Sequence, residues 1–140
     1  MKAAIVFWSG TCNTEAMAKA VAQGIKAVGA EADIMKCDEF NETMIDDYDA
    51  IAFGCPSMGA EQLEEDEFEP MFSGCAPKLG GKKIALFGSY GWGNGEWMRN
   101  WQDECERVGA VLACNPVICM DSPDDEAVAA CEALGKSLIN

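Results

Sequence analysis

Histidine is absent from this 140-residue chain. Its absence removes the usual general base of a hydrolytic scheme and a ligand from the common zinc patterns. The eight cysteines include no C-x-x-C pair and follow no regular spacing, so they read as reduced packing thiols rather than metal ligands or a disulfide framework. Basic residues are scarce, 10 against 24 acidic ones, and the net charge of −14 weighs against a nucleic-acid partner. No apolar run approaches the roughly 20 residues of a membrane span. Met1-Lys2 leads straight into an apolar strand, which predicts a cytoplasmic protein without a signal peptide.

About half of the residues are apolar, enough for a core in a single domain spanning residues 1–140. The chain is organised around Trp8-Ser9-Gly10-Thr11-Cys12-Asn13-Thr14. An apolar strand, Ala3 to Trp8, enters this turn. A stretch of helical period leaves it, with Met17, Val21, Ile25 and Val28 on one face. Such a turn converges backbone N–H groups, hydroxyls and the positive end of a helix on one small volume, which suits a phosphate. A single N-cap needs one Ser, Thr or Asn, and this turn offers Ser9, Thr11, Asn13 and Thr14. It holds no Lys or Arg and lacks the Gly-Lys-Ser/Thr ending of a triphosphate loop, so a monophosphate is the better fit.

Strands and helices then alternate. A short strand at 32–35 precedes a polar segment with a short helix near 43–46, and Ala50 to Gly54 reads as a central parallel strand. The loop Cys55 to Glu61 leads to an acidic helix with Phe68, Met71 and Phe72 inward. Ile84 to Gly88 is the next strand, and Ser89 to Gly95 a second glycine-rich loop. A helix with Trp97, Trp101, Cys105 and Val108 inward follows. The last strand, 111–114 and 117–120, is interrupted by Asn115-Pro116, and a final helix faces inward with Val128, Cys131, Leu134 and Leu138. This alternation predicts an α/β fold with a doubly wound parallel sheet, whose ligands bind beyond the carboxyl ends of the strands. Loops 9–14, 55–61 and 89–95 all follow strands and so share that edge. Met58 and Trp92 offer flat apolar surfaces to an aromatic ring system, and Glu61 offers a carboxylate to a ring N–H.

The segments Ser9-Gly-Thr-Cys-Asn-Thr14, Pro56-Ser-Met-Gly-Ala-Glu61 and Ser89-Tyr-Gly-Trp-Gly93 resemble the three FMN loops of the flavodoxins, with most similarity to the short-chain, clostridial-like type. The resemblance covers essentially the whole chain. It implies a five-stranded sheet of order 2-1-3-4-5 with helices on both faces. It also implies non-covalent FMN and a low-potential one-electron carrier, not an enzyme, working between semiquinone and hydroquinone with partner redox proteins. By motif position, Ser9, Gly10, Thr11, Cys12, Asn13 and Thr14 would surround the phosphate. Ser57, Met58, Gly59, Ala60 and Glu61 would lie on the inner flavin face, with Glu61 on ring N3. Ser89, Tyr90, Gly91 and Trp92 would lie along the ribityl chain and outer face. The peptide after Gly59 would turn over to meet the semiquinone N5–H, and Ala60 has no branch to oppose this. The −14 charge and a phosphate held without basic residues both disfavour the anionic hydroquinone.

One residue departs from the family pattern: Cys12 stands where flavodoxins usually have Gly. If that position needs φ > 0, the side chain adds strain on the order of 1 kcal/mol or more; otherwise its Cβ crowds the phosphate. Other α/β readings fail on residues. A receiver domain needs an acidic pair after the first strand, where Ser9-Gly10 stands, and a low-molecular-weight phosphatase needs C-x5-R, where Ala18 stands. A thiol or metal carrier lacks ligand spacing. The acidic run Glu61, Glu64, Glu65, Asp66, Glu67 and Glu69 reads as a solvated helix face or as a docking surface for basic-surfaced redox enzymes, and a monomer is expected.

Overall fold

The structure, a computed structural model, describes residues 1–140. Strand β1 (Lys2–Phe7) is followed by α1 (Asn13–Ala27) and β2 (Glu31–Lys36). Two short 3-10 turns then lead to β3 (Ala50–Gly54), α2 (Phe68–Cys75) and β4 (Lys83–Tyr90). The chain closes with α3 (Glu96–Arg107), β5 (Val111–Leu112), β6 (Val117–Met120) and α4 (Asp125–Ile139). All strand pairs are parallel, in the order β2-β1-β3-β4-β5, with β6 alongside the second half of β4. The expected order is therefore found, and β5 and β6 are the two halves of the last strand, split at Asn115-Pro116.

β3 and the middles of β1 and β4, residues 3–7 and 84–88, are apolar throughout because both faces are covered. On one face Phe53, Phe68, Phe72, Trp97 and Trp101 form an aromatic core; Trp101 meets Phe68 and Phe72 edge-on at 5.4 and 5.5 Å. On the other face α1 and α4 cover Ile5, Phe7 and Phe87 with Met17, Val21, Ile25, Leu134 and Leu138. These two helices touch backbone to backbone. A Cβ at Gly24 would stand 2.0 Å from the Glu132 carbonyl oxygen, so position 24 admits only glycine.

Two features differ from the periodicity. Val28 is exposed rather than inward, because α1 ends at Ala27 and Val28 is its C-cap, rotated off the apolar stripe. The acidic run is not a helix face either, since helix begins only at Phe68. Residues 61–67 form irregular turns held by buried Glu64, whose carboxylate accepts the N–H groups of Asp66, Glu67 and Phe68 at 2.8–2.9 Å. Burial pushes this carboxyl up, but the three donors outweigh it and hold it below the usual carboxylate range. Five cysteines, Cys37, Cys55, Cys75, Cys105 and Cys131, are buried in the two cores. Burial pushes Cys37, Cys105 and Cys131 up to about 12, which keeps them as protonated packing groups.

Candidate functional site

The sheet's hydrogen-bonding ladder runs past the ends of the strands and draws their loops together. Trp8 N–H donates to Gly54 O at 3.0 Å, Ser57 N–H to Ser89 O at 3.0 Å, and Asp121 N–H to Tyr90 O at 2.8 Å. Between these loops opens a cleft of about 260 Å³, lined by Gly10, Thr11, Asn13, Ser57, Met58, Ser89, Tyr90 and Gly91. Eight of the sequence-predicted residues thus meet in one place. Trp8, Pro56 and Asp121 join them.

At one end lies the loop before α1. None of the backbone N–H groups of residues 10–14 donates to another backbone group, so they stand open above the positive end of a 15-residue helix. Cys12 occupies the N-cap at φ 70°, in the left-handed region, with its side chain exposed and no side-chain cap. The loop thus does need φ > 0, and the strain anticipated for a residue with a Cβ is present. Two of its hydroxyls are already engaged. Ser9 Oγ accepts the Glu15 N–H at 3.3 Å, which caps the first turn. Buried Thr14 pairs with Ser89 Oγ at 3.1 Å and accepts the Ser89 N–H at 3.4 Å.

The middle loop turns back on itself, with Met58 and Gln62 exchanging backbone hydrogen bonds of 2.8 and 2.9 Å around Gly59, Ala60 and Glu61. Gly59 and Ala60 are exposed at its tip. Ser57 Oγ, at the cleft wall, is buried and has no hydrogen-bond partner in the protein. Such an orphaned hydroxyl calls for a polar ligand atom. Met58 is 37% and Trp92 59% exposed, large apolar surfaces left uncovered on loops that border the cleft.

Glu61 does not line the cleft. Its Oε1 accepts the backbone N–H of Glu96 at 3.1 Å, at the start of α3, and its carboxylate fills the space where a side chain at Gly93 would be. It therefore ties the Met58 loop to the Trp92 loop.

Sequence reasoning missed Trp8, Pro56 and Asp121. Trp8 ends an apolar run in the sequence, yet it borders the cleft, and its Nε1 donates to Glu67 at 3.3 Å. Asp121 follows the last strand on the same edge, and that position was the signal available for it. The three non-glycine residues with positive φ are Cys12, Glu61 and Asp121, one in each of three loops at this edge. Backbone strain of this kind concentrates where function over-determines the conformation.

Free N–H donors for an anion, an unpartnered buried hydroxyl and uncovered apolar surfaces fit the phosphate, ribityl chain and ring of FMN. A family model described as Flavodoxin matches residues 5–134. The flavodoxin of Megasphaera elsdenii is 44% identical over 133 residues, 95% of each chain, and that of Clostridium beijerinckii 43% identical over 136 residues, 97% of this chain and 98% of the other. The solution structure of two-electron reduced Megasphaera elsdenii flavodoxin superposes with a TM-score of 0.90, covering 97% of both chains. No helix is long and apolar enough to cross a membrane. With a family model over residues 5–134, near full-length similarity to two flavodoxins and the same fold, the chain belongs to the flavodoxin family: it is an FMN-binding electron-transfer protein, not an enzyme, and works with redox protein partners.

Proposed function

We propose that residues 1–140 act as one FMN-binding domain and serve the lower of the two one-electron steps, as a low-potential carrier. The observation that supports this site most directly is the run of open N–H groups at residues 10–14. With Thr11 and Asn13 they would hold the phosphate, which is then charged but unpaired with any Lys or Arg. Ser9 and Thr14 would act through the shape of the loop, since their hydroxyls already brace it. Ser57, Ser89, Tyr90 and Gly91 would line the ribityl chain and ring edge, with Met58 and Trp92 on the two ring faces and Gly59, Ala60 and Glu61 beyond the ring edge. FMN supplies the one-electron chemistry, and the protein sets its affinity and potential. A phosphate without cationic partners inside a −14 chain opposes any further negative charge, which lowers that potential.

Adding FMN to the apoprotein while following tryptophan and flavin fluorescence tests this reading. Mutual quenching that saturates at one FMN per chain is expected, and Trp92→Ala should lose a large part of it. An absence of binding would overturn the site.

The partners would present basic surfaces to the acidic segment 61–69 beside the Met58 loop. Electron-transfer rates should then fall as salt is added, and a salt-independent rate would reject basic partners. The protein would act as a monomer in the cytoplasm, a reducing compartment that suits eight free thiols.

A further inference from the structure

Trp8 belongs to two cavities. It lines the FMN cleft, and it also lines a second cavity of about 260 Å³ beside the phosphate turn, bordered by Ser9, Glu15, Lys36, Asp38 and Glu67. Three contacts hold this half-buried residue in place. Its backbone N–H donates to Gly54 O at 3.0 Å and its Nε1 to Glu67 Oε1 at 3.3 Å. Its ring edge lies against Gly10, with Cη2 3.0 Å from where a Cβ on that residue would stand. The second cavity carries groups that suit the far half of a dinucleotide. Lys36 ends β2 and belongs to neither ion pair of the protein, Lys2 with Asp33 and Lys19 with Glu15, so its ammonium is free to meet a phosphate. In doubly wound sheets a carboxylate roughly 20 residues beyond the phosphate turn holds a ribose hydroxyl. Asp38 stands at that place, just past β2.

We infer that Trp8 is a specificity-determining residue: its indole is the partition that confines the site to a flavin mononucleotide, and beyond it lies space for the adenosine half of a flavin dinucleotide. The proposal rests on the FMN site described above. FMN ends at its monophosphate and needs only the cleft, whereas FAD continues from that phosphate through a second one to a ribose and adenine. With Trp8 in place, this continuation meets an indole that cannot step aside without giving up Glu67 and its seat on Gly10. With the indole removed, the cleft and the second cavity join, and the second phosphate comes within reach of Lys36. One charge-assisted hydrogen bond gained there corresponds to about tenfold or more in affinity.

The test is calorimetric titration of the apoprotein with FMN and with purified FAD, read as the ratio of the FAD to the FMN dissociation constant. Wild type should bind FMN far more tightly than FAD. Trp8→Ala should lower the ratio about tenfold or more, through tighter binding of FAD. Trp8→Phe keeps an aromatic wall without the bond to Glu67 and should leave the ratio within about threefold of wild type. Adding Lys36→Gln to Trp8→Ala should remove most of the gained FAD affinity, with FMN affinity within about twofold. A Trp8→Ala protein that binds one FMN per chain with the ratio unchanged, or a wild type that binds both flavins alike, would overturn the proposal and leave the FMN site standing. An equal change in Trp8→Phe, or a gain that Lys36→Gln leaves intact, would also overturn it, by assigning the effect to a loosened loop. If Trp8→Ala fails to fold, Trp8→Thr, whose branched side chain suits a strand end, is held to the same criteria. Failure of the wild-type protein to bind FMN would overturn the site and this proposal together.

Discussion

Thr14 and Ser89, 75 residues apart, share a buried hydrogen bond of 3.1 Å between their hydroxyls. It fastens the first turn of α1 to the end of β4, and so fixes the spacing between the phosphate end and the ring end of the cleft. Thr14→Val keeps the volume but leaves the Ser89 hydroxyl and N–H without their partner. The expected loss is about 1–3 kcal/mol in urea unfolding of the apoprotein. Adding Ser89→Ala should recover part of it, so the double-mutant cycle should show coupling between the two sites. Additive losses would mean the pair is not an energetic unit.

Cys12 holds φ 70° in the turn that leads into α1. Cys12→Gly removes the Cβ that this conformation disfavours, and the relief on the order of 1 kcal/mol is partly offset by greater freedom of glycine in the unfolded chain. The variant should unfold at a higher urea concentration and bind FMN several-fold more tightly. Cys12→Val, β-branched, should move both quantities the other way. An unchanged affinity in both would show that the loop does not feel residue 12.

Glu64 links stability to pH. Its folded carboxyl titrates below the unfolded value of about 4.3. The unfolded chain therefore takes up the proton first. The stabilisation is complete above the unfolded value and drains away as the pH falls through the folded one. Glu64→Gln should be less stable than wild type by about 1–2 kcal/mol near neutral pH, as for a lost cap. The gap should narrow as the pH is lowered below the unfolded value when urea midpoints are compared. A constant gap would assign the loss to packing alone.

The bond from Glu96 N–H to Glu61 joins the loops that carry Met58 and Trp92. Glu61→Ala should speed hydrogen exchange at the Glu96 amide of the apoprotein, where no cofactor contact contributes. Glu61→Gln keeps an oxygen acceptor and should restore most of the protection. If both variants exchange like wild type, the two loops are positioned independently.

The fold was legible because the apolar runs at 3–8, 50–54 and 84–88 can be little else than buried strands, and each is followed by a loop rich in Gly and Ser. That order alone brought loops 9–14, 55–61 and 89–95 to one edge. What stayed hidden depends on partners remote in sequence. Glu61 was assigned to a ring N–H by its loop, but its carboxylate meets Glu96, 35 residues on, across the turn. Two of the hydroxyls of residues 9–14 are already engaged, Ser9 by the Glu15 N–H and Thr14 by Ser89, which no motif encodes. The run 61–69 carries many helix formers, yet Glu64 turns inward and takes three N–H groups before a helix can begin. Asp121 lies past the last strand, where the sequence offers polar turn residues and no pattern that points into the cleft.

Helix α1 bears the phosphate loop at its front, while its back lies on β1, β2 and β4 and on α4 at Glu132. The close approach at Gly24 therefore makes the loop's position depend on a helix more than a hundred residues further along the chain. A side chain at position 24 should push α1 off α4 and carry the loop with it, so that FMN affinity falls together with stability.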